Sequence, residues 1–206
     1  MLEPLNKYSR LNIIDVGHHK GDWIRDFSRQ IPKDKFVYCV GIDPIDHKSE
    51  WNNLFIQKAV STKTGTRKFY TYSEPGCNSL NEMLLENKFQ RPQEINKVGE
   101  IEVECVTLES ILDDLGLDMI HYLKVDAQGN DLDVVKSAGE WLKKCLFVQM
   151  ETCVATQDDN MMYENQNTRA ADISFMESQG FELVKEMDHS SVSCPEADLI
   201  FYNTRL

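Results

Sequence analysis

Four apolar, β-rich runs in this chain close on a carboxylate, and the stretches between them carry helical spacing. The runs are residues 11–16 with Asp15, 36–42 followed by Asp43, 121–126 with Asp126, and 145–151 with Glu151. Strands that alternate with helices must lie largely parallel, because each crossover returns the chain to the same edge of the sheet. The pattern therefore predicts an α/β fold with helices on both faces of a mostly parallel, Rossmann-like sheet.

A glycine loop follows the first run. Trp23, Ile24, Phe27 and Ile31 then fall on one helix face, and Pro32 ends it. A third strand is expected over 54–60, a turn at 64–66 and a short strand at 67–72. Residues 81–100 are charged and read as an excursion from the core, partly helical. Thr107 is placed to cap a helix bearing Leu108, Ile111, Leu112 and Leu115, closed by Gly116. Leu132, Val135 and Leu142 mark the helix after the 121–126 strand. Residues 155–167 are too polar and too long for an ordinary βα turn and read as a loop with a role or a lid. A helix over about 170–179 ends at Gly180, and the last two runs, 181–187 and 197–202, are close enough to pair antiparallel.

The 206 residues suit one domain spanning 1–206. No stretch approaches the roughly 18–20 apolar residues of a membrane-spanning helix, and the first ten residues lack the apolar segment of a secretory signal. The expectation is a soluble, cytoplasmic protein. The six cysteines form no C-x-x-C pair, and Cys39, Cys105 and Cys145 sit in or beside apolar runs, so reduced, buried thiols are expected. A net charge of −12 opposes binding to a phosphate backbone. Nucleic acid is not expected as a partner.

Carboxylates are costly in strands buried on both faces, so acids gathered at strand ends outline a site, and ligands of open α/β sheets bind at those ends. The sharpest signal is the loop Asp15-x-Gly17-x-x-x-Gly21. Gly17 permits a tight turn and close approach of a ligand, and Gly21 opens a helix whose free N–H groups favour an anion. The spacing is not the G-x-G-x-x-G that seats a pyrophosphate, which opposes a nicotinamide-dependent oxidoreductase. S-adenosylmethionine, with a carboxylate and an ammonium in place of phosphates, suits an acid beside a glycine turn. Asp43, at the end of the second strand, can accept hydrogen bonds from ribose hydroxyls.

The ordered series LNIIDVGHHKGDW, VGIDP, KAVS, CNSL, VTLESIL, LKVDAQGNDLDVVKSA and VQMET resembles the FkbM family of S-adenosylmethionine-dependent O-methyltransferases, from about Leu11 to about Thr152. The resemblance implies a class I methyltransferase fold, a seven-stranded sheet with its last strand antiparallel. It implies that Asp15, Gly17 and Gly21 line the methionine part of the cofactor, Asp43 with Pro44 the ribose, and Ala59 and Val60 the adenine, with Asp126 and Gln128 completing the site. Two departures stand out. Gln128 occupies a position where an acid is common, and His18 and His19 replace small or amide residues. His18 is counted among the cofactor-lining positions by its place in the loop, without an inherited role.

Methyl transfer from a sulfonium needs chiefly proximity and in-line alignment, and an oxygen nucleophile gains from a base or a metal. Asp126 and Glu151 are the first candidates for the base, with Lys124 on the same strand face as Asp126. Lys124 has an alternative role as the neutralising partner of those acids. Asp126, Glu151 and Gln128 offer oxygen ligands for a hard cation, but no compact ligand motif supports one. His18, His19 and His189 are further bases, or simply hydrogen-bonded loop residues. Asn78 and Ser79 either cap a helix or touch substrate. Residues 158–164 mix apolar and acidic side chains, as a lid or a mobile surface loop would. The expected acceptor is a hydroxyl on a sugar, glycolipid or other small molecule; the alternative is a non-catalytic module that binds the cofactor and a partner.

Overall fold

A computed structural model of the chain describes residues 2–85, 95–154, 161–190 and 195–206. The first strand, β1 (Arg10–Val16), runs into the helix α1 (Asp22–Ser28), which ends three residues before Ile31 although Ile31 is itself buried. Strands β2 (Phe36–Ile42) and β3 (Leu54–Ile56) follow. The run expected as one strand over 54–60 is divided: Lys58 N–H closes a turn onto the Ile56 carbonyl, and Ala59–Val60 forms β4 in a different sheet. That second sheet has the order β4-β6-β5, with β5 (Gly65–Tyr72) and β6 (Lys97–Val106) antiparallel.

Strand β6 takes the last four residues, 97–100, of the stretch expected as an excursion over 81–100. Ile101, Val103 and Cys105 alternate with Glu100, Glu102 and Glu104, the period of two that marks a half-buried strand. Residues 86–94 of that stretch lie outside the described residues.

The second half supplies α2 (Leu108–Asp114), β7 (Ile120–Val125), α3 (Asp131–Lys136), β8 (Cys145–Cys153), α4 (Arg169–Ser178), β9 (Phe181–Asp188) and β10 (Glu196–Asn203). The Thr107 hydroxyl accepts the Ser110 N–H, so the expected cap is present, and Thr168 caps α4 in the same way through Ala171. The apolar positions Leu132, Val135 and Leu142 do not share one helix. Gly139, at φ 54°, breaks the run, and Gly139–Lys144 continues as a 3-10 turn.

The large sheet has the order β3-β2-β1-β7-β8-β10-β9, parallel from β3 to β8, with β10 antiparallel to both neighbours. This is the class I methyltransferase arrangement. Alternation along β1 sends Leu11, Ile13 and Asp15 to the α1 face and Ile14 and Val16 to the face covered by α2, α3 and α4, and each face carries its own apolar core. Cys39, Cys105 and Cys145 are buried free thiols, as expected, and burial pushes those of Cys39 and Cys145 up; Cys194 lies outside the described residues. No helix among the described residues is long and apolar enough to cross a membrane.

Candidate active site

The strand order reverses between β1 and β7, since β1 is followed outward by β2 on one side and by β7 on the other. A crevice must open there, beyond the carboxyl ends of the strands. A cleft open to solvent at its mouth occupies this position. Gly17, Asp43 and Asp126 line it at the strand ends, and Ala59, Val60 and Phe69 form an apolar wall contributed by the small sheet.

Gly17 sets the shape. Its φ of 75° suits glycine, and a Cβ there would stand 1.8 Å from the carbonyl oxygen of Asp126. Its N–H and that of His18 both reach the Ile42 carbonyl, at 2.9 and 3.2 Å, while Asp126 N–H donates to Val16 at 3.0 Å. The ends of β1, β2 and β7 are thereby locked together. Asp43 is 8% exposed; its carboxylate accepts the N–H groups of His19 at 2.9 Å and Ile45 at 2.8 Å. Burial raises its pKa, with those two hydrogen bonds in opposition.

Pro44 and Gln128 also line the cleft; Asp15, His18, Gly21, Lys124 and Glu151 do not, Glu151 standing behind Gln128. Asp15 points to the α1 face, where its Oδ2 lies 2.8 Å from His18 Nδ1 and its Oδ1 lies 3.7 Å from Lys124 Nζ. His18 is buried, with Nε2 2.9 Å from Ser49 Oγ and 3.1 Å from Asn52 Oδ1. Its ring lies so close over Gly41 that a Cβ there would fall 2.6 Å from it. This histidine ties the glycine loop to the 43–53 segment. Gly21 packs against Ser49 and Trp51, and the helix it begins is only two turns long.

Asp126, Gln128 and Glu151 converge on the side of β8. Gln128 Nε2 donates to Asp126 at 2.8 Å and to Glu151 at 2.9 Å. Lys124 Nζ is 3.1 Å from Asp126. Burial opposes the charge on Lys124, but Asp126 and then Asp15 outweigh it and raise its pKa. Burial likewise opposes ionisation of Asp126, and Lys124 reverses this, leaving its carboxyl below the ordinary range. For Glu151 the balance falls the other way: burial first, then Asp126, Glu196, Asp131 and Asp198, hold it well above the ordinary range. The two acids on neighbouring strands are thus driven apart in pKa.

Tyr163, Asp131 and Asn130 complete this cluster, and the sequence expectations give none of them an individual site role. Tyr163, fully buried, lies with its hydroxyl 2.7 Å from Gln128 Oε1 and 3.1 Å from the Cys77 carbonyl, and its ring fills the space above Gly129, where a Cβ would come within 2.8 Å. Asp131 accepts the N–H groups of Ala127 and Gly129, and its carboxyl is pushed up to about 8 by burial and then by Asp126. Asn130 donates to the Val60 carbonyl, joining the adjoining turn to β4. Asn78 and Ser79 do not cap an α-helix. Asn78 lines the cleft and accepts the Tyr72 N–H, and the Ser79 hydroxyl donates to the Gln128 carbonyl at 2.6 Å. His189 stands apart, 3.1 Å from Asp198 on the exposed edge. Of residues 155–167, Met161, Met162 and Tyr163 are buried, and 155–160 lie outside the described residues.

Residues 15–183 match the model of the methyltransferase FkbM domain. The chain belongs to the FkbM methyltransferase family. A curated relative, the 2-O-methyltransferase NoeI of Sinorhizobium fredii (strain NBRC 101917 / NGR234), is 26% identical over 208 residues, covering 94% of this chain and 80% of the relative. Among solved structures, a SAM-dependent methyltransferase from Aquifex aeolicus aligns with a TM-score of 0.41 at 8% identity, over 94% of this chain and 82% of that one. A putative class I S-adenosylmethionine-dependent methyltransferase from Listeria monocytogenes aligns at 0.42 and 9% identity, over 97% and 55%. This FkbM protein is a methyltransferase, and its methyl donor is S-adenosylmethionine.

Proposed function

We propose that this FkbM methyltransferase methylates a hydroxyl group on a sugar, glycolipid or other small molecule in the cytoplasm, with Glu151 as the base. The observation that carries this reading is the pair of carboxyls at the ends of β7 and β8, bridged by one amide and separated in pKa by Lys124. In this cleft Asp43 would accept from the ribose hydroxyls, Pro44, Ala59 and Val60 would face the adenosine, and Asp126 and Gln128 would complete the site. The residues fit such a group. Asp43 is a buried acid whose oxygens each accept one backbone N–H and retain lone-pair capacity, and Gly17 clears the approach.

Bound S-adenosylmethionine supplies a methyl group already activated by its sulfonium. The protein must hold the acceptor oxygen in line and remove its proton as the S–CH₃ bond breaks and the O–CH₃ bond forms. Glu151, with its raised pKa, has the stronger basicity of the two acids and takes the proton; Asp126, kept ionised by Lys124, orients the acceptor hydroxyl. Gln128 holds both carboxyls in place. The relative described as a 2-O-methyltransferase supports an oxygen acceptor.

Calorimetry with S-adenosylhomocysteine, followed by transfer assays over glycans and hydroxylated lipids, tests the reading. Binding with replacement of Glu151 abolishing only transfer is expected. Absence of binding at millimolar ligand sinks it.

A further inference from the structure

The end of the sheet opposite the cleft differs from the rest of the molecule in charge. Residues 2–10 and 29–36 carry five cations, Lys7, Arg10, Arg29, Lys33 and Lys35, against two acids, Glu3 and Asp34, whereas the whole chain carries 22 cations against 34 acids. The two segments adjoin: the Phe36 N–H donates to the Ser9 carbonyl at 2.9 Å, and Lys35 Nζ to the Asn6 carbonyl at 2.6 Å. Asp118, which precedes β7, adds a third acid to this end. Elsewhere carboxylates neutralise Lys58, Lys97, Lys124 and Arg169. Here Arg29 pairs with Asp26, but Lys7, Arg10, Lys33 and Lys35 form no ion pair with a described residue.

Apolar surface accompanies these charges. Phe36 is 56% exposed at the start of β2, and the Arg10 guanidinium stands over its ring, 5.6 Å from the centroid. On the other face of β1 a cavity is lined by Leu2, Leu5, Leu11, Ile31 and Pro32, with Lys35 beside them. Alternation explains the split: Arg10 lies in register with Phe36 on one side, and Leu11 turns to the other. Apolar surface rimmed by charges of one sign marks a place of interaction. The net charge of −12 does not cancel it. Strand β1 spans about 20 Å at roughly 3.3 Å per residue, while the Debye length at physiological salt is about 8 Å. The carboxylates of the active site, at the far ends of the strands, are therefore screened from this end.

We propose that this end of the sheet docks the protein on an anionic membrane surface, with Lys7, Arg10, Lys33 and Lys35 against lipid phosphates and Phe36 entering the boundary of the acyl chains. The four cations call for an anion, and basic side chains beside a bilayer gain from the negative surface potential of its anionic lipids. The exposed ring and the apolar cavity call for hydrocarbon as well. A nucleic acid or an acidic protein surface supplies the charge without an acyl chain. Lysine and arginine suit the boundary because their stems lie along apolar surface while their heads stay among the headgroups. Docked this way, the carboxyl ends of the strands face away from the bilayer, and the cleft stays open to solvent. This surface is independent of the methyl acceptor and of Glu151.

The test is co-sedimentation of the full chain with vesicles of phosphatidylcholine alone and of phosphatidylcholine with about one-third phosphatidylglycerol. Partitioning onto the anionic vesicles should exceed that onto the neutral ones roughly 10-fold or more, and should fall as added salt shortens the Debye length. Lys7→Glu/Lys33→Glu should cost roughly 10-fold or more of that binding, and Phe36→Ser about three- to tenfold. Lys63→Glu/Lys185→Glu makes the same change in net charge at two exposed lysines elsewhere and should stay within about threefold of wild type. Melting temperatures should match wild type throughout, since every substituted side chain is exposed. Equal losses in the two double variants would make binding a matter of overall charge and overturn the proposal. Equal partitioning onto both vesicles, or none onto either, overturns it too. Retention on a short DNA duplex without binding to anionic vesicles reassigns the surface to a polyanion and likewise overturns the proposal.

Discussion

At the ends of β1 and β2 the site is shaped by main chain, and at the ends of β7 and β8 by side chains. Gly17 passes against the Asp126 carbonyl, and three backbone hydrogen bonds close the corner, so each residue sits where the strand before it delivers it. Across the cleft, Asp126 and Glu151 are held by Gln128, Gln128 by Tyr163, and the turn beneath them by Ser79, Asn81 and Asp131. The first region is rigid for steric reasons. The second depends on a hydrogen-bond network whose members come from four separate stretches of chain, and networks of that kind lose more than one contact when a member is removed. Substitutions should therefore act as steric failures on one side and as graded chemical losses on the other.

The largest effect is expected at Gly17. A methyl group 1.8 Å from a backbone oxygen, at positive φ, cannot be absorbed by a flexible side chain, and Gly17→Ala should destabilise the protein by about 4 kcal/mol or more and abolish S-adenosylhomocysteine binding. Gly76→Ala, in the same cleft but with its nearest neighbour 3.8 Å away, should leave the melting temperature and binding near wild type. Equal behaviour of the two variants would break the contrast between the regions.

Glu151→Gln comes next and should act on chemistry alone. Loss of a general base costs about 10²- to 10⁴-fold in kcat, and the affinity for S-adenosylhomocysteine should stay within a few-fold. The base acts when ionised, so wild-type kcat rises with pH through the raised Glu151 pKa; the variant should lose that limb. A parallel fall in cofactor affinity would mean that Glu151 belongs to the binding cleft.

Asp172 probes the support below this network. It is 2% exposed and receives the Thr152 hydroxyl beside Glu151, and burial pushes its carboxyl up to about 6. With the folded pKa above the unfolded one, its contribution is complete below pH 4 and declines as pH rises toward and through 6, a loss of about 3 kcal/mol at roughly 1.4 kcal/mol per unit. Urea unfolding at pH 4 and pH 8 should show wild type losing that amount relative to Asp172→Asn. A constant difference between the two proteins would place the ionisation elsewhere.

The contrast between the regions also explains what could be read from the sequence. Strands β1, β2, β7 and β8 announce themselves as apolar runs, and the glycine spacing with Asp43 falls at their ends, so the β1–β2 corner was legible from local pattern. The family resemblance gives Asp15 and Gly21 to the methionine part of the cofactor, but neither lines the cleft: alternation turns Asp15 to the α1 face, where His18 and Lys124 meet it, and Gly21 packs against Ser49 and Trp51. Strand β6 had a clear two-residue period, hidden by the charge of its outward residues. The contribution of Tyr163 carried no local signal at all, since its partners Cys77 and Gln128 are 86 and 35 residues away. Contacts across such separations belong to the tertiary fold.

Tyr163→Phe is the smallest and most discriminating substitution. The ring that packs on Gly129 is kept, and only the hydroxyl shared by Gln128 Oε1 and the Cys77 carbonyl is lost. Stability should fall by about 1 kcal/mol, the net value of one hydrogen bond. If the hydroxyl positions the Gln128 amide between Asp126 and Glu151, its loss lets the two carboxyls repel more strongly. The rising limb of the kcat–pH profile should then move to higher pH, with kcat near neutrality down about fivefold and the cofactor affinity unchanged. A stability loss with an unmoved pH profile would show that Asp126 and Glu151 hold the amide unaided, and that the side-chain region is more self-sufficient than its long-range contacts suggest.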